Sequence, residues 1–288
     1  MSELVPWADC RPLTCSVLPV RLACNCECPF CFSRSSLSAL AHDRLDWRAV
    51  DLGAHFRWAR DRGATRAVIT GGGEPLLRPD DVALLVREAR AVFDEVTCFT
   101  NGSRLTRSLA TALRDAGLTY LCWSRHHHDD AVNRSLMGDD APDADAVLAA
   151  CDGLPVRATC VMAKGYIDDP GDVTDYVAAM RARGVREFTF KHTYVAHERS
   201  LFRRGTHDRW ASEHRVTLDA FESVGEVIGR LPWGPTIRRI DEAQLCFYHE
   251  PTPLWERTHG ICRSTNLLSD GSVYASLEDT SSLLYRLS

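Results

Sequence analysis

The residues best equipped for chemistry lie in one short run, Cys24-Asn25-Cys26-Glu27-Cys28-Pro29-Phe30-Cys31. Cys24, Cys28 and Cys31 stand at the spacing C-x3-C-x2-C. Three thiolates in one loop can hold three irons of a cubane [4Fe-4S] cluster and leave the fourth iron open to a bidentate ligand. The competing reading is a zinc knuckle, which needs a fourth ligand from Cys26 or a distant histidine. The chain carries twelve cysteines, six of them in its first 31 residues. In a reducing compartment these are expected to be metal ligands, thiols or buried apolar groups and not disulfides.

Other polar groups recur at comparable intervals: Gly71-Gly72-Gly73-Glu74-Pro75, Thr100-Asn101-Gly102, Ser124 with the run Arg125-His126-His127-His128-Asp129-Asp130, and Lys191-His192. Each follows a short segment rich in β-branched, aromatic or aliphatic residues. The strands expected are Thr14–Leu22, Ala67–Thr70, Glu95–Thr100, Tyr120–Ser124, Val156–Met162, Glu187–His192 and Thr236–Ile240. Helical patterns fall between them at Trp47–Arg62, Pro79–Val92, Leu105–Ala116, Pro142–Ala150, Gly171–Arg183 and Thr217–Gly229. Strands alternating with helices make parallel β/α units whose functional groups gather at the carboxyl ends of the strands. The fold class expected is α/β, a partial (β/α)6-type barrel over 12–240. A short N-terminal segment, 1–11, precedes it. A C-terminal cap, 241–288, lies over the mouth and ends in a hairpin, Asn266–Ala275, turning at Asp270-Gly271.

Composition bounds the rest. Hydrophobic residues at 45% and charged residues at 25% suit a soluble globular chain of this length. No apolar run approaches the roughly 20 residues of a membrane span. The start Met1–Pro6 lacks the basic flank and apolar stretch of a signal peptide, so the expected location is the cytoplasm. A net charge of −5 argues against nucleic acid as a partner and leaves room for a cationic small molecule.

C-x3-C-x-aromatic-C, with Phe30 as the aromatic, resembles the signature of the radical S-adenosylmethionine (SAM) enzymes. Gly71–Glu74 after the second strand resembles their GGE motif, and Thr100-Asn101-Gly102 after the third resembles their T-N-G. The order of motifs agrees over roughly residues 12–240. The resemblance implies that Cys24, Cys28 and Cys31 bind the cluster, that SAM chelates its open iron, and that one electron releases a 5′-deoxyadenosyl radical that takes hydrogen from a carbon. It also implies a low-potential electron donor such as flavodoxin or ferredoxin. Phe30, Gly71, Gly72, Gly73, Glu74, Thr100, Asn101, Ser124, His126 and Arg134 become the expected SAM pocket: the glycines for close backbone approach, Glu74 for the SAM ammonium, Ser124 near the ribose, and Arg134 for the SAM carboxylate unless it forms a surface salt bridge instead.

The remaining expectations concern the substrate. Lys191 and His192 close the sixth strand and are candidates to face the cavity. Asp129, Asp130, Asp139, Asp140, Glu278 and Asp279 are candidates to meet a cation. The run from Cys262 to Tyr274 resembles the opening of extensions that carry auxiliary iron–sulfur clusters. Cys10, Cys15 and Cys262 are therefore candidate ligands of a second cluster. Size, acidic balance and isolated C-terminal cysteines resemble aminoglycoside epimerases of the neomycin C type, acting on a small sugar-like natural product in antibiotic biosynthesis. In that reading Cys246 is the catalytic thiol that returns hydrogen to the opposite face of the carbon. A peptide maturase, an activating enzyme or a dehydrogenase with the same radical start is the alternative. An iron–sulfur protein that only carries electrons is the alternative from another class.

Overall fold

A computed structural model describes residues 3–198 and 200–288; Met1 and Ser2 of the expected N-terminal segment lie outside the described residues. The chain runs β1 (Arg11–Val17), α1 (Leu52–Asp61), β2 (Ala67–Ile69), α2 (Pro79–Arg90), β3 (Val96–Thr100), α3 (Arg107–Asp115), β4 (Tyr120–Ser124), α4 (Asp130–Met137), α5 (Ala144–Cys151), β5 (Val156–Val161), α6 (Pro170–Ala182), β6 (Glu187–Lys191), α7 (Thr206–Glu213), β7 (Glu226–Arg230), β8 (Thr236–Ile240), β9 (Ala243–Tyr248), α8 (Pro253–His259), β10 (Ile261–Leu267), β11 (Ser272–Tyr274) and β12 (Leu283–Arg286). Among the described residues one sheet contains all twelve strands in the order β12-β11-β10-β1-β2-β3-β4-β5-β6-β9-β8-β7. From β10 to β9 every neighbour is parallel, and the β11/β12 and β8/β7 edges are antiparallel. This is the partial barrel that alternating strands and helices imply.

Two expectations change. Thr217–Gly229 is not a helix. Leu218–Phe221 makes one 3-10 turn, and Glu226–Arg230 forms the edge strand β7 paired with β8. Its apolar residues fit a helical period, but Gly225 with φ +66° ends the turn and lets the chain enter the hairpin. The expected boundary at 240/241 falls inside the β8/β9 pair. Residues 241–288 do not lie only over the mouth: β9 extends the sheet beside β6, and β10 extends it beside β1.

Helix starts are chemically marked. Asp51, Thr106, Asp129, Asp169 and Thr252 each accept a hydrogen bond from the first turn of the following helix. The main core packs one face of the sheet against the helices. Leu121, Trp123, Ala158, Cys160, Phe188, Phe190, Leu245 and Phe247 meet Phe56, Leu85, Leu113 and Tyr176 there. Side chains alternate along a strand, so Cys122, Ser124, Arg157, Thr159, Thr189, Lys191, Cys246 and Tyr248 face the barrel interior.

Candidate functional site

β1 ends at Val17 instead of Leu22, and the chain turns over the carboxyl ends of the strands into the cysteine loop. Two backbone bonds fasten that loop to the glycine turn: Gly72 N donates to Val20 O at 3.1 Å and Glu74 N to Ala23 O at 2.7 Å. An added Cβ on Gly72 would lie 2.1 Å from Arg21 O, and one on Gly73 would lie 2.0 Å from Ala23 O. The glycines therefore admit the chain's own backbone where close approach to SAM was expected. They set the height at which Cys24 enters the loop.

Within the loop the sulfurs divide. Cys24 is exposed, and Cys28 and Cys31 are half-buried. Burial first, and mutual charge repulsion among the three second, push the Cys28 thiol up. Cys26 is buried against Phe30, Leu136 and Met137. Cys24, Cys28 and Cys31 lie close enough to repel one another's charge, which fits a cluster that leaves one iron without a protein ligand, while the buried Cys26 donates to the Cys24 sulfur. Burial raises the Cys28 and Cys31 thiols, so iron binding there would release protons, whereas a hydrogen bond from the Cys26 side chain lowers Cys24 to about 6. Phe30 packs edge-on against the His126 ring, centroids 4.7 Å apart, and near Trp210.

Glu74 is 3% exposed and faces inward. Its carboxylate accepts from Leu76 N at 3.0 Å, Thr100 Oγ1 at 2.7 Å and Asn101 N at 2.7 Å. Burial pushes the carboxyl up to about 7, against the downward pull of those bonds. The expected partner of a SAM ammonium is thus the tie between the loops after β2 and β3. The Thr100 hydroxyl is spent on the same tie and accepts from Gly102 N at 3.0 Å. Asn101 also turns inward: its Oδ1 accepts from Ser103 N at 2.9 Å and Ser103 Oγ at 2.7 Å, and its Nδ2 points to the cysteine loop.

Ser124 ends β4 on the interior face, half-buried. His126 lies just beyond, with Nδ1 accepting from Val161 N at 3.0 Å. Nε2 therefore carries the ring proton. Burial, with Arg125 and Lys191 adding repulsion, lowers the group to about 3, so a neutral imidazole stands beside Phe30. His127 and His128 stack on each other at 4.4 Å, and Asp129 caps α4. Arg134 pairs with Asp143 on the surface of α4, the surface salt bridge that was the alternative to the SAM carboxylate.

Lys191 reaches Glu250 at 3.2 Å, and burial lowers it to about 8. Glu250 also accepts from Tyr248 Oη at 2.7 Å and pairs with Arg263. His192 bonds the Val216 carbonyl. A cavity of about 610 Å³ opens beside this group, lined by His192, Tyr194, Arg215, His249, Glu250 and Glu278 among others. Of the six acids expected to meet a cation, only Glu278 lines it. Asp129 caps a helix, Asp130 holds the buried Arg125 at 2.5 Å, Asp279 bonds Trp7 Nε1 at 2.9 Å, and Asp139 and Asp140 are exposed. Tyr248, Glu250 and Arg263 were not singled out from the sequence. The signal in the sequence was the alternation of Ala243, Leu245 and Phe247 with Gln244, Cys246 and Tyr248, which Glu250 follows.

The three cysteines expected to share a second cluster are separated. Pro12 is in register with Cys262 and Cys15 with Thr265, so Cys15, three residues beyond Pro12, points to the opposite face of the sheet. Cys10 and Cys262 pack with Trp7 and Ala275, whereas Cys15 lies in the main core 3.4 Å from His55 Nε2. Cys246 is on the interior face. Strand registers join Ser124 to Thr159, Thr159 to Thr189, and Thr189 to Cys246, which places Ser124 and Cys246 in one layer of the barrel. Burial pushes the Cys246 thiol up to about 11.

A three-cysteine loop at the mouth of a partial barrel, tied to a glycine turn and a T-N-G turn, defines a class of iron–sulfur enzyme. A sequence model of the radical SAM superfamily matches residues 19–177. The chain belongs to that superfamily, whose members hold a [4Fe-4S] cluster and SAM. GTP 3′,8-cyclase of Listeria monocytogenes serotype 4b is 27% identical over 180 residues, covering 60% of this chain and 52% of that protein. The enzyme of the same name from Aquifex aeolicus is 23% identical over 279 residues, 93% and 82% of the two chains. The chain spans about half the length of the first curated relatives it matches. Among solved structures, Streptococcus suis SuiB bound to S-adenosylmethionine superposes with a TM-score of 0.61 at 18% identity, over 92% of this chain and 60% of that one. Native anSMEcpe with bound AdoMet gives 0.51 at 15%, over 93% and 76%. These two likenesses concern the fold. Among the described residues no helix is long and apolar enough to cross a membrane.

Proposed function

We propose that the protein epimerises one carbon of a small, hydroxyl- and amine-bearing natural product of the aminoglycoside kind. When bound, the cluster and SAM supply a radical that removes hydrogen from that carbon. Cys24, Cys28 and Cys31 would hold the cluster, and Ser124 and His126 would line the SAM side of the interior. A reduced flavodoxin or ferredoxin would deliver two electrons per turnover, one to cleave SAM and one that, with a proton from water, restores the Cys246 thiol after it has given up its hydrogen atom.

The observation that carries this reading is the position of Cys246. It stands in the same layer as Ser124, three strand spacings away, roughly 14 Å along the curved sheet. That span leaves room for a substrate between the two. A group that returns a hydrogen atom must keep its S–H bond, and burial favours the protonated thiol at neutral pH. With neomycin C as the probe, Cys246→Ala is expected to cleave SAM yet give no inverted product. In deuterium oxide the native enzyme should place deuterium at the inverted carbon. A Cys246→Ala enzyme that inverts at the native rate removes the residue from the reaction.

A second reading, cyclisation of a nucleoside triphosphate, is favoured by the names of the curated relatives. Lys191 and Arg263 are cations at the mouth, but both are engaged by Glu250. SAM-dependent consumption of GTP, with none of neomycin C, would select that reading.

A further inference from the structure

Asn101 was expected to touch SAM, yet every polar group it has is committed elsewhere. Its N–H donates to Glu74, its carbonyl accepts from Trp123 Nε1 at 3.3 Å, and its Oδ1 accepts two bonds from Ser103. One of those Ser103 donors is a backbone N–H, so the acceptor must be the amide oxygen. This fixes which end of the carboxamide is nitrogen. The residue is buried, and Nδ2 has only one direction left. It donates to Asn25 Oδ1 at 3.1 Å and approaches two sulfurs, Cys26 Sγ at 3.3 Å and Cys24 Sγ at 3.8 Å. Asn25 Nδ2 in turn donates to Ser103 Oγ at 2.9 Å, which closes the network around the amide. Cys26 N–H also reaches Cys24 Sγ at 3.4 Å, so the loop itself and Asn101 direct donors at the same sulfur.

We infer that the Asn101 carboxamide is a hydrogen-bond donor to the sulfur of Cys24 and thereby sets how readily the cluster accepts its electron. Reduction adds negative charge to the iron–sulfur core and to the cysteine sulfurs that bind it. An N–H dipole aimed at such a sulfur stabilises the reduced state more than the oxidised one and raises the potential. Asn101 acts here as a positioning residue through sulfur and not as a contact to substrate. Cys26 takes a matching part: a buried sulfur that anchors the amide without binding iron. The inference rests on the cluster that family membership implies and is independent of the substrate.

The test uses the full chain reconstituted anaerobically, with iron and sulfide counted and the midpoint potential read by titration of the reduced-cluster EPR signal. Asn101→Ala should retain the iron count and move the midpoint to more negative potential. Asn101→Asp keeps the oxygen that Ser103 binds but replaces the donor by an anionic acceptor, and should move it further the same way. If Asn101→Ala fails to hold iron, Ser103→Ala leaves the amide in place but frees its orientation, and should give a smaller shift of the same sign. A native midpoint in Asn101→Asp, or in Ser103→Ala should neither Asn101 variant hold the cluster, would overturn the inference. A purely structural role would lower iron content without moving the potential of the clusters that remain.

Discussion

Gly72→Ala isolates what the glycine turn is for. An added Cβ would sit 2.1 Å from Arg21 O and 2.5 Å from Val20 O, whereas ordinary contact begins at 3.4 Å. Both neighbours are backbone, so no side chain can swing away; the two segments must part by more than an ångström. Overpacking of this kind costs about 1–3 kcal/mol. Weakening the Gly72 N to Val20 O bond adds about 1 kcal/mol. Loss of conformational freedom in the unfolded chain returns about 0.4–1 kcal/mol. A net destabilisation on the order of 2 kcal/mol is expected, already present without iron or SAM. Urea unfolding of the reduced, cluster-free chain measures it, and iron content after reconstitution should fall in parallel because the displaced segment leads into Cys24. If Gly72→Ala unfolds within about 0.5 kcal/mol of the native chain and holds full iron while losing SAM affinity, the packing argument is refuted and direct contact with SAM takes its place.

Three further outcomes follow from the site. Replacing Cys24, Cys28 or Cys31 by Ala should abolish the SAM-responsive cluster signal, whereas Cys26→Ala should largely retain it; iron counting and EPR decide. Glu74 has a folded pKa of about 7 against a usual 4.5, so the folded chain binds more protons between those values and its stability falls as pH rises through that window, then levels above it. Glu74→Gln should remove this dependence, so its stability relative to the native chain should improve by roughly 3 kcal/mol from pH 4.5 to 8, and a pH-independent difference would contradict the buried-carboxyl reading. Arg134→Ala should leave SAM affinity unchanged, since the guanidinium is paired with Asp143 on the surface; weaker SAM binding measured anaerobically would return Arg134 to the pocket.

Much of the site could be read in sequence because its chemistry is local. The cysteine spacing, the glycine turn and the T-N-G turn are each contained in a few residues. Their order along alternating strands and helices implied that they meet at one end of a sheet. The strand Tyr120–Ser124 is found as expected, and Asn266–Ala275 does turn at Asp270-Gly271. What could not be read was the direction of side chains within those turns. Glu74 and Asn101 are both polar residues after strands, and nothing in their neighbours along the chain distinguishes facing a cofactor from facing each other. The same limit separated Cys15 from Cys10 and Cys262, since the side of the sheet a cysteine occupies depends on the register with β10, some 250 residues away. Thr217–Gly229 failed for a related reason: its apolar spacing suits a helix, but pairing with β8 decides its conformation.

By itself the sequence determined the superfamily, the three-cysteine motif and the alternating α/β plan, because covalent spacing and hydrophobic period act over a few residues and survive in any context. Only the tertiary structure decided that residues 241–288 widen the sheet at both edges, that Glu74 and Asn101 serve the cysteine loop, and that Cys246 shares a layer with Ser124. Those facts depend on strand register and on which buried polar groups find one another, and both are settled by contacts between segments far apart in the chain.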